Sequence, residues 1–244
     1  MTVDVDALAA ELSSLAARRP RTIVGICGAP GAGKSTLAGL LVEAVNAEAP
    51  GTAVAVGMDG FHLAKSVIAG DDRRTRRGAP DTFDAAGYAA LLARLRSAED
   101  EVVYAPEYRR EIEDPVNAAI AVPRSVRLVV TEGNYLLHPG WAAVRGQLDE
   151  VWYLEAPDES VRVEHLIARH IRFGKSAERA RTHVLGSDQA NATLVAGHRG
   201  DADRTLRWAH WRADDCLSMI RATTPPTEAQ PADGIPSCDT RENG

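Results

Sequence analysis

Short apolar runs alternate with longer amphipathic stretches along most of the chain. The apolar runs are rich in β-branched residues and are bounded by glycine or polar residues, a pattern that predicts buried strands. These strands are predicted over 22–27, 53–56, 126–131 and 150–154. Apolar residues at three- and four-residue spacing predict the helices. The helices are predicted over 3–19, after the glycine-rich turn at 28–35, around 85–95 and over roughly 158–172.

Strands that alternate with helices are typical of a parallel sheet covered by helices on both faces. We therefore predict an α/β fold with a doubly wound, mostly parallel sheet, in a single domain over 1–221. Residues 63–83 are polar and arginine-rich, which predicts a long loop with a short helix. The four prolines after Arg221 and the lack of periodicity predict a flexible tail over 222–244.

Composition narrows the function classes. The 244 residues are 45% hydrophobic and 25% charged, which is ordinary for a globular protein. With 28 Lys and Arg against 34 Asp and Glu, the net charge is −6, which argues against a nucleic-acid coat protein. The three cysteines include no Cys-x-x-Cys pair, so a reducing, cytoplasmic location is predicted. We predict neither a signal peptide nor a membrane span, because no sufficiently long apolar run occurs.

One motif carries specific chemistry. Gly28-Ala29-Pro30-Gly31-Ala32-Gly33-Lys34-Ser35 fits G-x-x-x-x-G-K-S between a predicted strand and a predicted helix, which indicates a P-loop NTPase fold. Its backbone amides and helix N-terminus would surround phosphates. Lys34 is expected at the β- and γ-phosphates, Ser35 on Mg²⁺ and Thr36 at the α-phosphate. A Rossmann nucleotide site is disfavoured, because its third glycine would have to stand where Thr36 is.

The remaining motifs favour a kinase among P-loop proteins. The Asn-Lys-x-Asp guanine motif of GTPases and the Leu-Ser-Gly-Gly motif of transport ATPases are both missing from the sequence. A kinase needs a base for the acceptor hydroxyl and a second acid near the metal. Asp59 and Glu132 follow predicted strands and are the candidates. Alternatively, Asp59 is only a turn residue before Gly60, and Glu132 is only a solvated residue at the end of a strand.

A kinase also needs a mobile cationic lid. Arg169, Arg172 and Lys175 supply positive charge near the end of a predicted helix, and we place the lid at about 169–187. These cations would screen the transferring phosphoryl group and exclude water. The alternative is a solvated basic face, which the helix dipole alone favours.

Together these residues resemble a known family. The chain is similar over about 20–200 to the P-loop kinases of the uridine kinase, phosphoribulokinase and bacterial pantothenate kinase group. More narrowly, it resembles the bacterial nucleoside/nucleotide kinase family, which includes fructose-transport-associated kinases. The matching segments are GICGAPGAGKST (25–36), MDGFH (58–62), RRGAPDTFD (76–84), APEYRREIEDPV (105–116), TEGNYLL (131–137) and RHIRFGKS (169–176).

The resemblance implies roles for individual residues. It implies that Asp59 accepts the proton of the acceptor hydroxyl or orients that hydroxyl, and that Glu132 lies near Mg²⁺. It further implies that Asp81, Phe83 and Tyr108 neighbour the acceptor. Three positions depart from the pattern: Gly78 and Glu113 stand where uridine kinases carry Asp and His, and Arg109 stands where close relatives carry Asp. The resemblance therefore leaves the acceptor open.

Several residues have two interpretations each. His62 and Asn134 either contact the acceptor or pack and cap locally, and Arg110 is assigned to the acceptor site beside Tyr108. The run Arg73–Arg77 either grips an anion or forms a solvated loop. Trp208 and Trp211 are predicted to pack a terminal helix rather than to stack on a base.

The sequence as a whole predicts an ATP-dependent kinase that phosphorylates a hydroxyl of a nucleoside, sugar or pantothenate-like metabolite. Asp59, Lys34 and Arg169 are predicted to be catalytic, and Arg169 and Arg172 join the phosphate loop in binding ATP. Ser35, Glu132 and Asp59 are predicted to hold Mg²⁺. The alternative function is a nucleotide-gated regulatory ATPase without a small acceptor. We expect no nucleic-acid or membrane partner, and the resemblance makes a homodimer an open possibility.

Overall fold

A five-stranded parallel sheet forms the centre of the molecule, with strand order β2-β5-β1-β6-β7. The computed structural model describes residues 1–156 and 158–208. A separate antiparallel hairpin consists of β3 and β4. The strands are β1 (Thr22–Cys27), β2 (Ala53–Gly57), β3 (Val102–Arg109), β4 (Asp114–Pro123), β5 (Leu128–Gly133), β6 (Glu150–Glu155) and β7 (Arg204–Arg207).

Helices cover both faces of the sheet. They are α1 (Val5–Ala17), α2 (Lys34–Glu48), α3 (Ala85–Ser97), α4 (Ala142–Arg145), α5 (Glu159–Arg172), α6 (Ala177–His183) and α7 (Gln189–Ala196), with a π-helical turn over Val184–Asp188 between α6 and α7. All six residues of β1 are buried, and successive side chains point to opposite faces. Ile23 packs in the core that contains α3 and the hairpin, whereas Val24 packs against α1 and α2. These findings confirm the doubly wound α/β prediction.

The strand order brings three predicted site segments to one edge of the sheet. Cys27, the last residue of β1, pairs with Gly133 of β5, and Gly57 of β2 pairs with Glu132. Because all these strands are parallel, the segments that follow them leave from the same edge. The phosphate loop, the turn Met58–Phe61 and the end of β5 therefore meet there.

Most predicted elements are present with shifted ends. The strand predicted over 126–131 runs over Leu128–Gly133 and so includes Glu132. The helix predicted over 3–19 is observed over Val5–Ala17 and is capped by Asp4, whose side chain accepts from the Ala7 amide. Within the arginine-rich segment, 3₁₀ turns cover Asp72–Arg74 and Pro80–Thr82. The predicted tail over 222–244 and Trp211 lie outside the described residues.

The hairpin and β7 are elements that the sequence prediction missed. The hairpin turn has no glycine; instead Glu113 adopts φ +50°. The hairpin joins the main core through Val103, Ala105 and Val122. The buried Arg21 also ties it down, because its guanidinium donates to the carbonyls of Pro123, Arg124, Val126 and Leu95. No helix among the described residues has the length and apolarity needed to cross a bilayer.

Candidate active site

The phosphate loop turns sharply between β1 and α2. Gly31 has φ +80°, and a β-carbon there would lie 2.7 Å from Leu166 Cγ of α5. Only glycine therefore fits this position without a shift of the backbone or of α5. The loop delivers the chain to the N-terminus of α2, where free amides and the helix dipole favour an anion.

Lys34 lies across this loop and is buried. Its Nζ donates to Ala29 O at 3.0 Å and to Asn134 Oδ1 at 2.7 Å. Burial lowers the pKa of Lys34, and the charges of Glu132 and Asp59 oppose that shift. Asn134 thus holds the lysine ammonium beside the loop and faces the nucleotide end of the site.

Two carboxylates and a hydroxyl gather beside Lys34. Ser35 Oγ donates to Glu132 Oε1 at 2.9 Å. The pKa of Glu132 is raised by burial and by the nearby charge of Asp59, against the effect of Lys34 and Ser35. Mg²⁺ prefers such oxygen donors, usually one or two carboxylates together with phosphate oxygens and water. Ser35, Glu132 and Asp59 therefore fit a magnesium ion.

Asp59 lies in the turn after β2, with one third of its side chain exposed. Arg110 of the hairpin places Nη2 3.8 Å from Asp59 Oδ2. Burial alone would raise the pKa of Asp59, but the positive fields of His62, Arg110, Lys34 and Arg169 outweigh it and lower that pKa. Asp59 is therefore an anion at neutral pH, while its neighbour Glu132 binds a proton more readily.

Aromatic rings extend the site from Asp59 toward the hairpin. The His62 ring packs against two tilted rings, with its centroid 4.0 Å from that of Phe83 and 4.8 Å from that of Tyr108. Phe83 is buried, and its ring also packs edge-on against Tyr135. Arg110 lies over the Tyr108 ring, 5.9 Å from its centroid. His62 therefore packs against Phe83 and lies beside Asp59, and its contact with an acceptor stays a prediction.

The arginine run 73–77 is largely paired within its own surroundings. Arg73 binds Asp71, and Arg76 binds Asp72 and Asp81. Asp81 is half exposed and held in this surface pair, so the structure does not bring it to Asp59. Arg77 differs from the others, since it reaches the hairpin and donates to Asp114 Oδ1 at 2.6 Å.

The predicted lid begins on α5. Arg169 is half-buried, and its charge reaches both Lys34 and Asp59. Arg172 is exposed, with its guanidinium 5.9 Å from the centroid of the Phe173 ring. The chain then turns at Gly174 and continues as the helical segment 177–196.

Two side chains that support the phosphate loop were missed by sequence reasoning. Arg162 of α5 is almost completely buried and donates from Nη1 to Pro30 O at 2.7 Å and from Nη2 to Gln189 Oε1 at 2.6 Å. The sequence signal that points to Arg162 is its three-residue spacing from Glu159 on a predicted helix, because side chains at this spacing can form an ion pair. Trp208, predicted only to pack, donates from Nε1 to Ala32 O at 3.2 Å. Both side chains hold loop carbonyls.

The structure thus assembles most of the predicted residues into one site. Those that it brings to the edge of the sheet include the loop residues Gly28, Ala29, Pro30, Gly31, Ala32, Gly33, Lys34, Ser35 and Thr36, and also Asp59, His62, Phe83, Tyr108, Arg110, Glu132, Asn134 and Arg169. Asp81 and Arg172 make their contacts at the surface instead.

Comparisons with known proteins show which proteins the chain is similar to. The chain is 34% identical over 197 residues to "Putative uridine kinase C227.14" of Schizosaccharomyces pombe, covering 77% of this chain and 83% of that protein. It is 29% identical to a pantothenate kinase of Mesorhizobium japonicum, over 64% of this chain and 51% of that protein. The crystal structure of a "putative fructose transport system kinase" from Silicibacter sp. TM1040 superposes with a TM-score of 0.72 at 32% identity, covering 83% of this chain and 98% of that one. No protein-family model matches the chain.

Proposed function

The chain belongs to the P-loop kinases of the uridine kinase and pantothenate kinase group, and from this premise we propose that it transfers the γ-phosphoryl group of ATP to a hydroxyl of a small metabolite. The acceptor is a nucleoside, a sugar or a pantothenate-like alcohol. The proposed site has two ends. The phosphate loop, with Lys34, binds ATP, and Asp59 with its hairpin neighbours binds the acceptor.

At the nucleotide end, the chain offers fixed positive and hydrogen-bonding groups. The loop amides and the N-terminus of α2 bind phosphate oxygens, and Lys34 offsets charge on the β- and γ-phosphates. The half-buried Arg169 adds a positive field that reaches both Lys34 and Asp59. Because charge spreads over the transferring group, this field lowers the barrier to transfer.

The oxygen donors of Ser35, Glu132 and Asp59 would hold Mg²⁺. When bound, Mg²⁺ would supply positive charge that offsets the negative charge of the phosphates. The 2.9 Å bond between Ser35 and Glu132 keeps the hydroxyl and the carboxylate together beside the loop, where both would hold the ion.

At the acceptor end, Asp59 orients the acceptor hydroxyl and takes up its proton. A carboxylate with a lowered pKa is ionised at neutral pH and can accept a hydrogen bond from the hydroxyl. Phosphoryl transfer has a loose transition state, so positioning the hydroxyl in line matters more than strong basicity. His62, Tyr108 and Arg110 line the approach to Asp59.

The local backbone does not favour uridine as the acceptor. Gly78 has φ +107°, where the aspartate expected of a uridine kinase would be strained. Glu113 sits in the hairpin turn and pairs with Lys65 at 3.1 Å. Arg109 pairs with Glu107 at 2.7 Å rather than with Asp59. The acceptor therefore meets a different set of polar groups from those expected for a ribose.

One observation carries the proposal: an ionised, partly exposed Asp59 stands at the same sheet edge as the buried Lys34 of the phosphate loop. The experiment measures ADP release by the full chain with MgATP against panels of nucleosides, sugars and hydroxy acids. We expect release to rise strongly with one chemical class. Mass spectrometry of that reaction should find the phosphorylated acceptor.

One control variant and one contrary outcome make the screen decisive. Lys34→Met should lose acceptor-dependent release, which excludes a contaminating kinase. Slow ADP release that no acceptor changes in the wild type would contradict the proposal and favour a regulatory ATPase.

A further inference from the structure

Two histidines and an aspartate form a compact cluster beyond the phosphate site. His170 lies in the last turn of α5, His183 ends α6, and Asp188 ends the π-helical turn. His170 Nε2 lies 3.1 Å from Asp188 Oδ2, and His183 Nε2 lies 3.8 Å from Asp188 Oδ1. One potential ligand atom from each residue lies within 4.8 Å of the other two. Kinase chemistry as proposed above uses none of these three side chains.

The π-helical turn is what places His183 and Asp188 together. The Gln189 amide donates to Val184 O, which is the five-residue spacing of a π-helix. In an α-helix, residues five apart point about 140° away from each other, because each turn has about 3.6 residues. In a π-turn, whose hydrogen bonds join residues five apart, they lie closer to the same side of the helix. Such turns are rare and are frequently found at functional sites, which draws attention to the side chains that this turn brings together.

We propose that His170, His183 and Asp188 bind a divalent transition-metal ion, with Zn²⁺ as the first candidate, and that the ion ties α5 to the helical segment 177–196. Two imidazoles and a carboxylate are a typical ligand set for zinc sites that keep a fourth position for water. Imidazole nitrogen makes the site unsuited to Mg²⁺, which prefers oxygen ligands. The metal would thus be distinct from the one at Ser35 and Glu132.

The geometry leaves room for the ion between the three ligand atoms. Both Nε2 atoms face Asp188, whereas Lys175 Nζ donates to His170 Nδ1, on the opposite edge of the ring, at 2.9 Å. Lys175 therefore lies outside the ligand-facing space. A His170 that binds a metal through Nε2 carries its proton on Nδ1, so the contact with the Lys175 ammonium must open when the ion binds. Zinc–ligand bonds of about 2.0–2.2 Å require ligand atoms roughly 3–3.5 Å apart, so a separation of up to 4.8 Å must shorten by as much as about 1.3–1.8 Å. A small rotation of His183, whose side chain is 26% exposed, can supply that.

An entry path reaches the cluster from solvent. A surface groove runs along α6, and its walls include Thr75, His183 and Ser187. Asp188 itself is 13% exposed. The site is thus shielded enough to limit competing water and open enough to load, as a metal site must be.

Metal binding to the full, untagged chain without ATP tests the proposal. Calorimetry with Zn²⁺ and visible absorption with Co²⁺ should show one equivalent bound and a four-coordinate Co²⁺ spectrum. Thermal unfolding should shift upward by a few degrees with excess Zn²⁺, since ligands that bind the native state stabilise it. Excess Mg²⁺ should not displace the Co²⁺ signal.

Variants locate the bound ion. Asp188→Asn and His183→Ala should each weaken binding at least about tenfold, since even outer-shell changes cost that much. His198→Ala is the matched control, because His198 is also half-buried and lies 3.6 Å from an aspartate, Asp201. Asp188→Asn keeps the side-chain shape, and circular dichroism confirms that each variant is folded.

The chain contains other residues of the types that bind zinc, so the variants are needed to show where the ion is bound. His210, Cys216 and Cys238 lie outside the described residues and could bind Zn²⁺ by themselves. Equal affinity in the wild type, Asp188→Asn and His183→Ala would therefore overturn the proposal, as would the lack of any binding in the micromolar range. Because no step of the test uses ATP or an acceptor, failure here leaves the proposed kinase reaction unaffected.

Discussion

The two ends of the proposed active site are built in different ways. The nucleotide end consists mainly of backbone: a tight glycine loop, a helix N-terminus and carbonyls held by Arg162 and Trp208. The acceptor end consists of side chains from separate segments, with Asp59 after β2, His62 beside it, and Tyr108 and Arg110 from the hairpin. One end is fixed by local conformation and the other by packing between distant segments.

This difference explains what each end can specify. A loop whose shape depends on glycine and on buried contacts tolerates little change, and it binds a group that all nucleoside triphosphates share. Half-exposed side chains on a hairpin can be exchanged at low cost in folding free energy. We therefore propose that the hairpin and the 62–84 segment select the acceptor, and that substitutions separate the two ends.

The sharpest separation is expected at Asp59. Asp59→Asn keeps the side-chain size but removes the proton acceptor, so kcat should fall by about 10²–10⁴-fold. MgATP binding should fall much less than kcat, because the phosphate loop, Lys34 and the two other proposed magnesium ligands, Ser35 and Glu132, remain. Calorimetry for MgATP and ADP release with the identified acceptor are the two measurements. Near-normal turnover in the variant would remove Asp59 from the proposed role.

A substitution at the nucleotide end should weaken MgATP binding and leave the KM for the acceptor nearly unchanged. Arg162→Met leaves Pro30 O and Gln189 without their buried donor, which typically costs about 1–3 kcal/mol. We expect MgATP to bind about tenfold more weakly and the variant to unfold at a lower temperature, with the KM for the acceptor nearly unchanged. Titration calorimetry and thermal unfolding test this.

Arg181→Met serves as the control for Arg162, since Arg181 is an exposed arginine on α6. It should bind MgATP like the wild type. If Arg162→Met also binds MgATP with the affinity of the wild type, the phosphate loop does not depend on the hydrogen bond from Arg162 to Pro30 O. The proposed difference between the nucleotide end and the acceptor end would then be wrong.

The sequence predicted the place of the phosphate loop between β1 and α2 for a physical reason. Glycine spacing, the lysine and the following serine act within eight successive residues, and their strand and helix context can be recognised locally. The same holds for Asp59 and Glu132, because each directly follows or ends an apolar strand. Arg162 was missed because its function depends on a contact with a carbonyl 132 positions away.

The acceptor end was harder to predict because its parts come together only in three dimensions. The hairpin carries three prolines and turns at residues 110–113, which are Arg-Glu-Ile-Glu, so the usual glycine or asparagine turn signal is lacking. Asp81 lies in a motif shared with kinases, yet Arg76 pairs with it at the surface. A motif identifies the segment and leaves the direction of each side chain to packing.

A moderate effect is expected at Gly78, in the segment that shapes the acceptor end. At φ +107°, any side chain is strained, so Gly78→Asp should lower the free energy of unfolding by about 1–2 kcal/mol. The Cβ position is open, with Asn191 Nδ2 3.8 Å away, so a clash adds little. Chemical denaturation measures the loss. An unchanged stability would mean that the backbone admits the aspartate of a uridine kinase.

The smallest effect distinguishes two neighbouring arginines. Arg110 faces Asp59, whereas Arg109 pairs with Glu107 on the other side of the strand. Arg110→Ala should raise the KM for the acceptor about threefold to tenfold, roughly 1 kcal/mol for a half-exposed charge. Arg109→Ala should change the KM less than about twofold. Steady-state kinetics on both variants decide whether the acceptor meets this face of the hairpin.

Transfer of a labelled phosphoryl group tests the central claim most directly. The full chain is incubated with Mg²⁺, ATP labelled at the γ-phosphorus and the acceptor class found in the screen, and the products are separated. We predict that the label appears on the acceptor hydroxyl in the wild type, and that this product falls by at least about a hundredfold in Asp59→Asn. Label found only in inorganic phosphate, at equal rates in both proteins, would contradict the account.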